Sequence, residues 1–288
     1  MFDAPANSTR ISKRFGELRA GGELGIVAYI TAGDPSLGAT LRFVLALADA
    51  GTDVIELGVP FSDPLADGPT IQRASERALK SGTTLAGVLD LVRRIRESSQ
   101  VPLVLFSYYN PILQMGLEKF ASSAKAAGAD GVLATDLTAE ESEGYRNILS
   151  GHHLDTIFLG APTSTDERLA KIAACSSGFL YLISRTGVTG AKDALPDDLP
   201  ALLRRARAVT KLPLAVGFGI SLPGHVSVLG GLADAAVVGS ALVAEIERTA
   251  KPGSSAAEIN ATASALAEKV RLLKEAARHG LSRREVAP

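Results

Sequence analysis

Residues 54–72 read Val54-Ile-Glu-Leu-Gly-Val-Pro-Phe-Ser-Asp-Pro-Leu-Ala-Asp-Gly-Pro-Thr-Ile-Gln72. The stretch opens as a short apolar strand, crosses a loop rich in Pro, Asp and Gly, and runs into a helical pattern over Thr70–Ser81. Strand, loop, helix is one unit of a parallel α/β fold. Glu56 interrupts the apolar run, and Asp63 and Asp67 follow in the loop. A carboxylate in a buried strand is costly unless it is paired, protonated or useful. A strand acid with a second acid on the adjoining loop suits general acid/base work.

The unit recurs. Apolar, β-branched runs stand at Gly25–Ile30, Asp53–Leu57, Leu103–Ser107, Gly131–Thr135, Thr156–Leu159, Phe179–Ser184, Leu214–Gly217 and Ala235–Val238. Amphipathic segments lie between them, at Gly38–Ala50, Leu85–Ser98, Leu117–Ala127, Thr138–Leu149, Asp166–Ala174, Leu199–Val209 and Gly224–Leu232. Several strands are apolar on both faces, as buried parallel strands are. Eight such units favour a closed (β/α)8 TIM barrel over an open doubly wound sheet. Arg10–Leu18 reads as an extra N-terminal helix, and Ala256–Ala277 as a long final one with Ile259, Ala263, Leu266, Val270 and Leu273 on one face. No interdomain linker is visible, so residues 1–288 read as one barrel domain with a frayed tail over 279–288.

Composition sets limits. A formal net charge of -1, 5% aromatic residues and no Trp point away from nucleic acid. The lone Cys175 has no intrachain partner, and Met1–Phe15 has no apolar signal core. The uncharged stretch Ser98–Leu117 carries Gln100, Pro102, Asn110, Pro111 and Gln114, so it reads as strand plus loop rather than a membrane span. The expectation is a cytoplasmic chain that binds neither nucleic acid nor membrane.

Barrels of this kind place their active sites at the C-terminal ends of the strands. Polar residues that end strands here are Tyr29, Thr31, Glu56, Tyr108, Asn110, Asp136, Tyr181 and Arg185. Each has a plainer reading. Glu56 could be a structural acid held by backbone donors or an Arg, and Asp67 could start a turn or cap the helix after it. Asp63, before Pro64, fits a structural or interface role. A second pattern is Gly-rich: Gly187-Val-Thr-Gly190, Gly217-Phe-Gly-Ile-Ser221, and Gly239-Ser240 opening a helix at Ala241–Arg248. Backbone N–H groups in such loops bind phosphate without a basic side chain. No lysine falls in a predicted strand, which argues against a Schiff-base aldolase. His152, His153, His225 and His279 do not cluster with carboxylates at metal-ligand spacing, and Cys175 reads as packing. From the residues alone, this is a barrel enzyme acting on a phosphorylated small molecule by acid/base chemistry, with no metal.

Four motifs carry a resemblance: Tyr29-Ile-Thr-Ala-Gly-Asp-Pro35, Glu56–Gln72, Ser184-Arg-Thr-Gly-Val-Thr-Gly190 and Gly217-Phe-Gly-Ile-Ser221. Together they resemble the tryptophan synthase α subunit family over about Thr9 to Lys274. The resemblance implies a lyase that cleaves indole-3-glycerol phosphate to indole and glyceraldehyde 3-phosphate in tryptophan biosynthesis. It needs no cofactor of its own and works in an αββα complex with a β subunit that carries pyridoxal phosphate. It implies catalytic roles for Glu56, Asp67 and Tyr181. Substrate contacts would fall at Tyr29, Phe106, Asp136, Thr189, Gly190, Phe218, Gly219, Gly239 and Ser240, and a β-facing loop at Asp63 and Pro64. Ala28 and Thr138 depart from the family pattern, each standing where proline is common; Thr138 lies near the expected β interface. The rival readings are a stand-alone lyase releasing free indole, a binding subunit without catalysis, and a different phosphate-binding barrel.

Overall fold

The fold comes from a computed structural model, which describes residues 9–184, 195–217 and 219–282. The strands are β1 Gly25–Thr31, β2 Val54–Gly58, β3 Leu103–Ser107, β4 Gly131–Ala134, β5 Asp155–Ile157, β6 Leu159–Gly160, β7 Leu180–Ile183, β8 Leu214–Gly217 and β9 Ala235–Val238. They run in the order β5-β4-β3-β2-β1-β9-β8-β7-β6, and every registered pair is parallel. The two ends of that order, β5 and β6, are consecutive in the chain and separated only by Phe158. The nine strands are therefore the expected eight, with the fifth run broken in two at Phe158, and the sheet closes there as a TIM barrel.

The helices are α1 Arg10–Ala20, α2 Leu37–Asp49, α3 Pro69–Lys80, α4 Leu85–Arg96, α5 Tyr109–Met115, α6 Leu117–Ala127, α7 Glu143–Gly151, α8 Asp166–Cys175, α9 Leu199–Val209, α10 Pro223–Leu229, α11 Ser240–Thr249 and α12 Ala256–Ser282. Three differ from the sequence reading. The helix expected over Thr138–Leu149 is a 3-10 turn at Ala139–Glu141 followed by α7; the Ser142 hydroxyl donates to the Ala139 carbonyl between them. Helix α5 occupies part of the stretch read as loop. Its start is held by Asp136 Oδ1, which accepts from the Tyr109 N–H at 2.7 Å. Pro111 fits because first-turn N–H groups have no helical partner to lose. Helix α12 runs to Ser282, beyond the expected Ala277, and residues 283–288 of the expected tail lie outside the described residues.

Alternation along each strand divides the core into two layers. Val27, Tyr29, Val54, Val104, Phe106, Leu133, Ile157, Tyr181, Ala215, Ala235 and Val237 face one another inside the barrel. Their neighbours Ile26, Ala28, Ile55, Leu57, Leu103, Leu105, Leu182 and Val216 face the helices. Both faces are apolar because both are covered. Helix α1 covers the lower mouth with Ile11, Phe15 and Leu18, and Phe15 packs on Phe179 at a ring separation of 5.6 Å.

An aspartate precedes a strand at three places on that lower face, and each accepts from the first N–H groups of the neighbouring strand. Asp53 accepts from Ile26 N at 2.6 Å, Asp130 from Leu103 N at 2.9 Å and Asp234 from Leu214 N at 2.7 Å. Cations complete each: Arg14 and Lys274 on Asp53, Arg10 and Arg96 on Asp130, Arg207 and Arg19 on Asp234. This end of the barrel is built for stability, leaving the other for chemistry.

Candidate active site

The upper mouth holds a cleft that opens to solvent. Tyr29 from β1, Glu56 from β2, Phe106 from β3, Tyr181 from β7 and Val237 from β9 form its floor. Ala66, Asp67 and Gly68 on the loop after β2, with Ile71 of α3, form one wall. Gly219, Ile220, Gly239 and Ser240 form the other.

Glu56 is fully buried, and neither carboxylate oxygen has a hydrogen-bond partner among the described residues. Among the described residues no arginine and no backbone donor holds it, which counts against the structural alternative. Loss of water is what acts on it, and burial pushes its pKa up to about 8. The acid therefore keeps its proton at neutrality.

Asp67 behaves differently. Burial raises its carboxyl, and the hydroxyl of Tyr108 draws it back, leaving it at about 6. Tyr108 Oη lies 3.2 Å from Asp67 Oδ2. Asp67 does not cap α3: the N-cap is Gly68, without a side-chain bond, and Pro69 opens the helix. At neutral pH the cleft thus holds one protonated and one ionised carboxyl, the pairing that divides acid from base.

Two tyrosines complete the floor. Tyr29 and Glu56 are register partners on β1 and β2. Tyr29 and Tyr181 are both buried, and desolvation raises both phenols well above their usual range, with Asp67 adding to the rise at Tyr29 and Glu56 to that at Tyr181. They stay neutral donors.

On the opposite wall, α11 begins at Ser240 with Gly239 as its N-cap, so first-turn N–H groups lie at the cleft. Gly219 has φ 99°, a left-handed conformation that favours glycine. Arg185, Gly187, Thr189, Gly190 and Phe218 lie outside the described residues. Among the described residues no group of His, Cys, Asp and Glu converges as metal ligands, and no helix is long and apolar enough to cross a membrane.

Of the other expected positions, Asp136 is exposed and lies off the cleft lining, where it caps α5. Asp63 is exposed at the loop tip and accepts from Ser62 Oγ, and Pro64 is half-buried beside it. Cys175 is buried and free, with its thiol directed at the Ala139 carbonyl. Sequence reasoning noted Tyr108 only as a polar strand end and passed over Ala66, Gly68, Ile71, Ile220 and Val237. Their one signal was position, since each lies at or just beyond the end of a strand that carries a site residue or at the start of a helix that follows one.

The family profile described as tryptophan synthase alpha chain matches residues 15–277. The tryptophan synthase alpha chain of Solibacter usitatus is 54% identical over 243 residues, covering 84% of this chain and 91% of that one. The crystal structure of tryptophan synthase subunit alpha from Legionella pneumophila superposes with a TM-score of 0.84 at 36% identity, covering 94% of this chain and 99% of that one. A chain of the tryptophan synthase complex from Pyrococcus furiosus superposes with a TM-score of 0.78 at 40% identity, covering 88% and 97%.

Proposed function

The chain belongs to the tryptophan synthase alpha chain family, and from that premise we propose that Glu56 and Asp67 carry its lyase reaction. The reaction is the retro-aldol cleavage of indole-3-glycerol phosphate to indole and glyceraldehyde 3-phosphate, a step of tryptophan biosynthesis. The observation that carries the assignment is the buried Glu56 carboxyl, without a hydrogen-bond partner among the described residues, lining one cleft with an ionised Asp67.

Protonated Glu56 gives its proton to indole C3, which becomes tetrahedral as positive charge moves onto the ring nitrogen. The Asp67 carboxylate accepts a hydrogen bond from the ring N–H and stabilises that charge. The Glu56 carboxylate then takes the proton of the side-chain hydroxyl next to C3. The hydroxyl oxygen becomes the aldehyde oxygen, the C3 to side-chain bond breaks, and its electrons return to the ring. Glu56 ends protonated, indole keeps the new C3 hydrogen, and no water is consumed. Tyr181, a neutral donor on the floor, supports the substrate hydroxyls. Tyr29 and Phe106, in edge contact at 5.1 Å, form an aromatic wall for the indole ring. Gly219, Gly239 and Ser240 offer backbone N–H groups to the phosphate, and Thr189, Gly190 and Phe218 belong to the same proposed set. Asp136 serves at the rim.

The α chain family needs no cofactor of its own. Its assembly partner is a β subunit, and we assign the β contact to the loop of Asp63 and Pro64, where Leu65 is 90% exposed. We place the chain in an αββα complex whose β subunits bear pyridoxal phosphate. Indole release by the purified chain, alone and with a tryptophan synthase β chain, tests this. Weak release that rises steeply with the partner is expected. Fast release unchanged by the partner would mark a stand-alone lyase and leave the contact loop without a function.

A further inference from the structure

We propose that Tyr108 is a positioning residue for the lyase reaction: its hydroxyl anchors the loop that carries Asp67 and aims that carboxylate into the cleft. The inference rests on Asp67 as the carboxylate that accepts the indole N–H.

Tyr108 is the first residue after β3 and is 5% exposed. Its hydroxyl works in both directions. It accepts from the Ala66 N–H at 2.9 Å and faces Asp67 Oδ2 at 3.2 Å, so one phenol grips two successive loop residues. The Phe61 ring lies on the Tyr108 ring at 5.1 Å and holds the start of the same loop. Among the described residues, the other hydrogen bonds of residues 63–67 stay within the loop or reach only Gln72 of α3. Among the described residues, the Tyr108 hydroxyl is therefore the one hydrogen-bonding group outside the loop and α3 that holds residues 63–67.

A hydrogen bond given to a carboxylate also favours its charged form. Tyr108 supplies that bond to Asp67, while Tyr29 from β1 and Tyr181 from β7 face the same carboxylate as neutral phenols. Burial, then the charge of Asp67 and last that of Asp136, keep the Tyr108 hydroxyl protonated. Tyr108 therefore fixes both where Asp67 points and the pH at which it begins to work.

The test is the pH dependence of indole release by the α chain in complex with its β partner. Tyr108→Phe keeps the ring and removes the bond. Its acid limb is expected to move up by about one pH unit, with kcat at pH 7 down roughly 10-fold and KM within about threefold, because the phosphate wall is untouched. Replacing Tyr108 with 3-fluorotyrosine keeps the shape and strengthens the donor, so its acid limb is expected to move down. A purely structural role would not produce shifts of opposite sign. Should Tyr108→Phe fail to fold, the fluorinated chain decides alone. An acid limb present in the native enzyme and unmoved in the variants overturns the role of Tyr108 and leaves Asp67 standing. A native profile without an acid limb, or an Asp67→Asn chain of near-native rate, overturns the reading of Asp67 and this proposal with it.

Discussion

Tyr29 lies across Gly58 of the neighbouring strand: a Cβ at position 58 would meet the Tyr29 hydroxyl at 2.1 Å. The pairing repeats on the far side of the cleft, where a Cβ at Gly217 would meet the Tyr181 hydroxyl at 2.2 Å. Each tyrosine of the floor occupies the space left by a strand-end glycine. Gly58→Ala should push the Tyr29 ring off the floor, costing about 1–3 kcal/mol of stability and lowering the rate. Thermal melts and indole release would show both losses together; an unchanged rate would detach Tyr29 from the site.

Glu56 makes the fold weaker for the sake of the site. Its pKa is raised by burial from 4.5 to about 8. The folded state therefore binds the proton more tightly than the unfolded chain. That stabilisation is complete below pH 4.5 and is lost as pH rises through about 8. Glu56→Gln, which cannot ionise, should match the native chain near pH 4.5 and exceed it increasingly toward pH 8, by a few kcal/mol at the upper end. Denaturant melts across this range would record the widening gap. Parallel curves would mean that Glu56 is not buried as described.

The lower face should respond in the opposite way. Asp53 is 1% exposed and holds Arg14, Lys274 and the Ile26 N–H. Asp53→Ala leaves the Lys274 ammonium and the Ile26 N–H without their acceptor and Arg14 with Glu17 alone, and should cost about 3–5 kcal/mol. The kcat of the molecules that remain folded should be unchanged, since the residue sits at the far end of β1 from Tyr29. A drop in kcat at full folding would reveal coupling between the two mouths of the barrel.

Much of this was readable in the chain. The barrel was legible because its strands are apolar on both faces; Tyr29, Glu56 and Tyr181 stood out as polar groups within apolar strands, and Asp67 as an acid on the loop after one of them. What escaped depends on contacts between distant residues. The break at Phe158 arises where β5 and β6 turn to different neighbours. Helix α5 needs the Asp136 side chain, 27 residues away, to hold its first turn. The bond from Tyr108 to Asp67 spans 41 residues, so neither local pattern announces it. The aspartates before β2, β4 and β9 do share a local pattern, a glycine two or three residues ahead of each, but its meaning appears only when the neighbouring strand is in place.

The measurement that bears most directly on the chemistry is kcat for indole release against pH, for the native chain and Glu56→Gln, each with its β partner. The native profile should be a bell, rising as Asp67 ionises near 6 and falling as Glu56 loses its proton near 8. Glu56→Gln should lose roughly 10²–10⁴-fold or more at the optimum. A Glu56→Gln rate within a few-fold of native, or a native profile with neither limb, would contradict the assignment of Glu56 as the group that moves the proton.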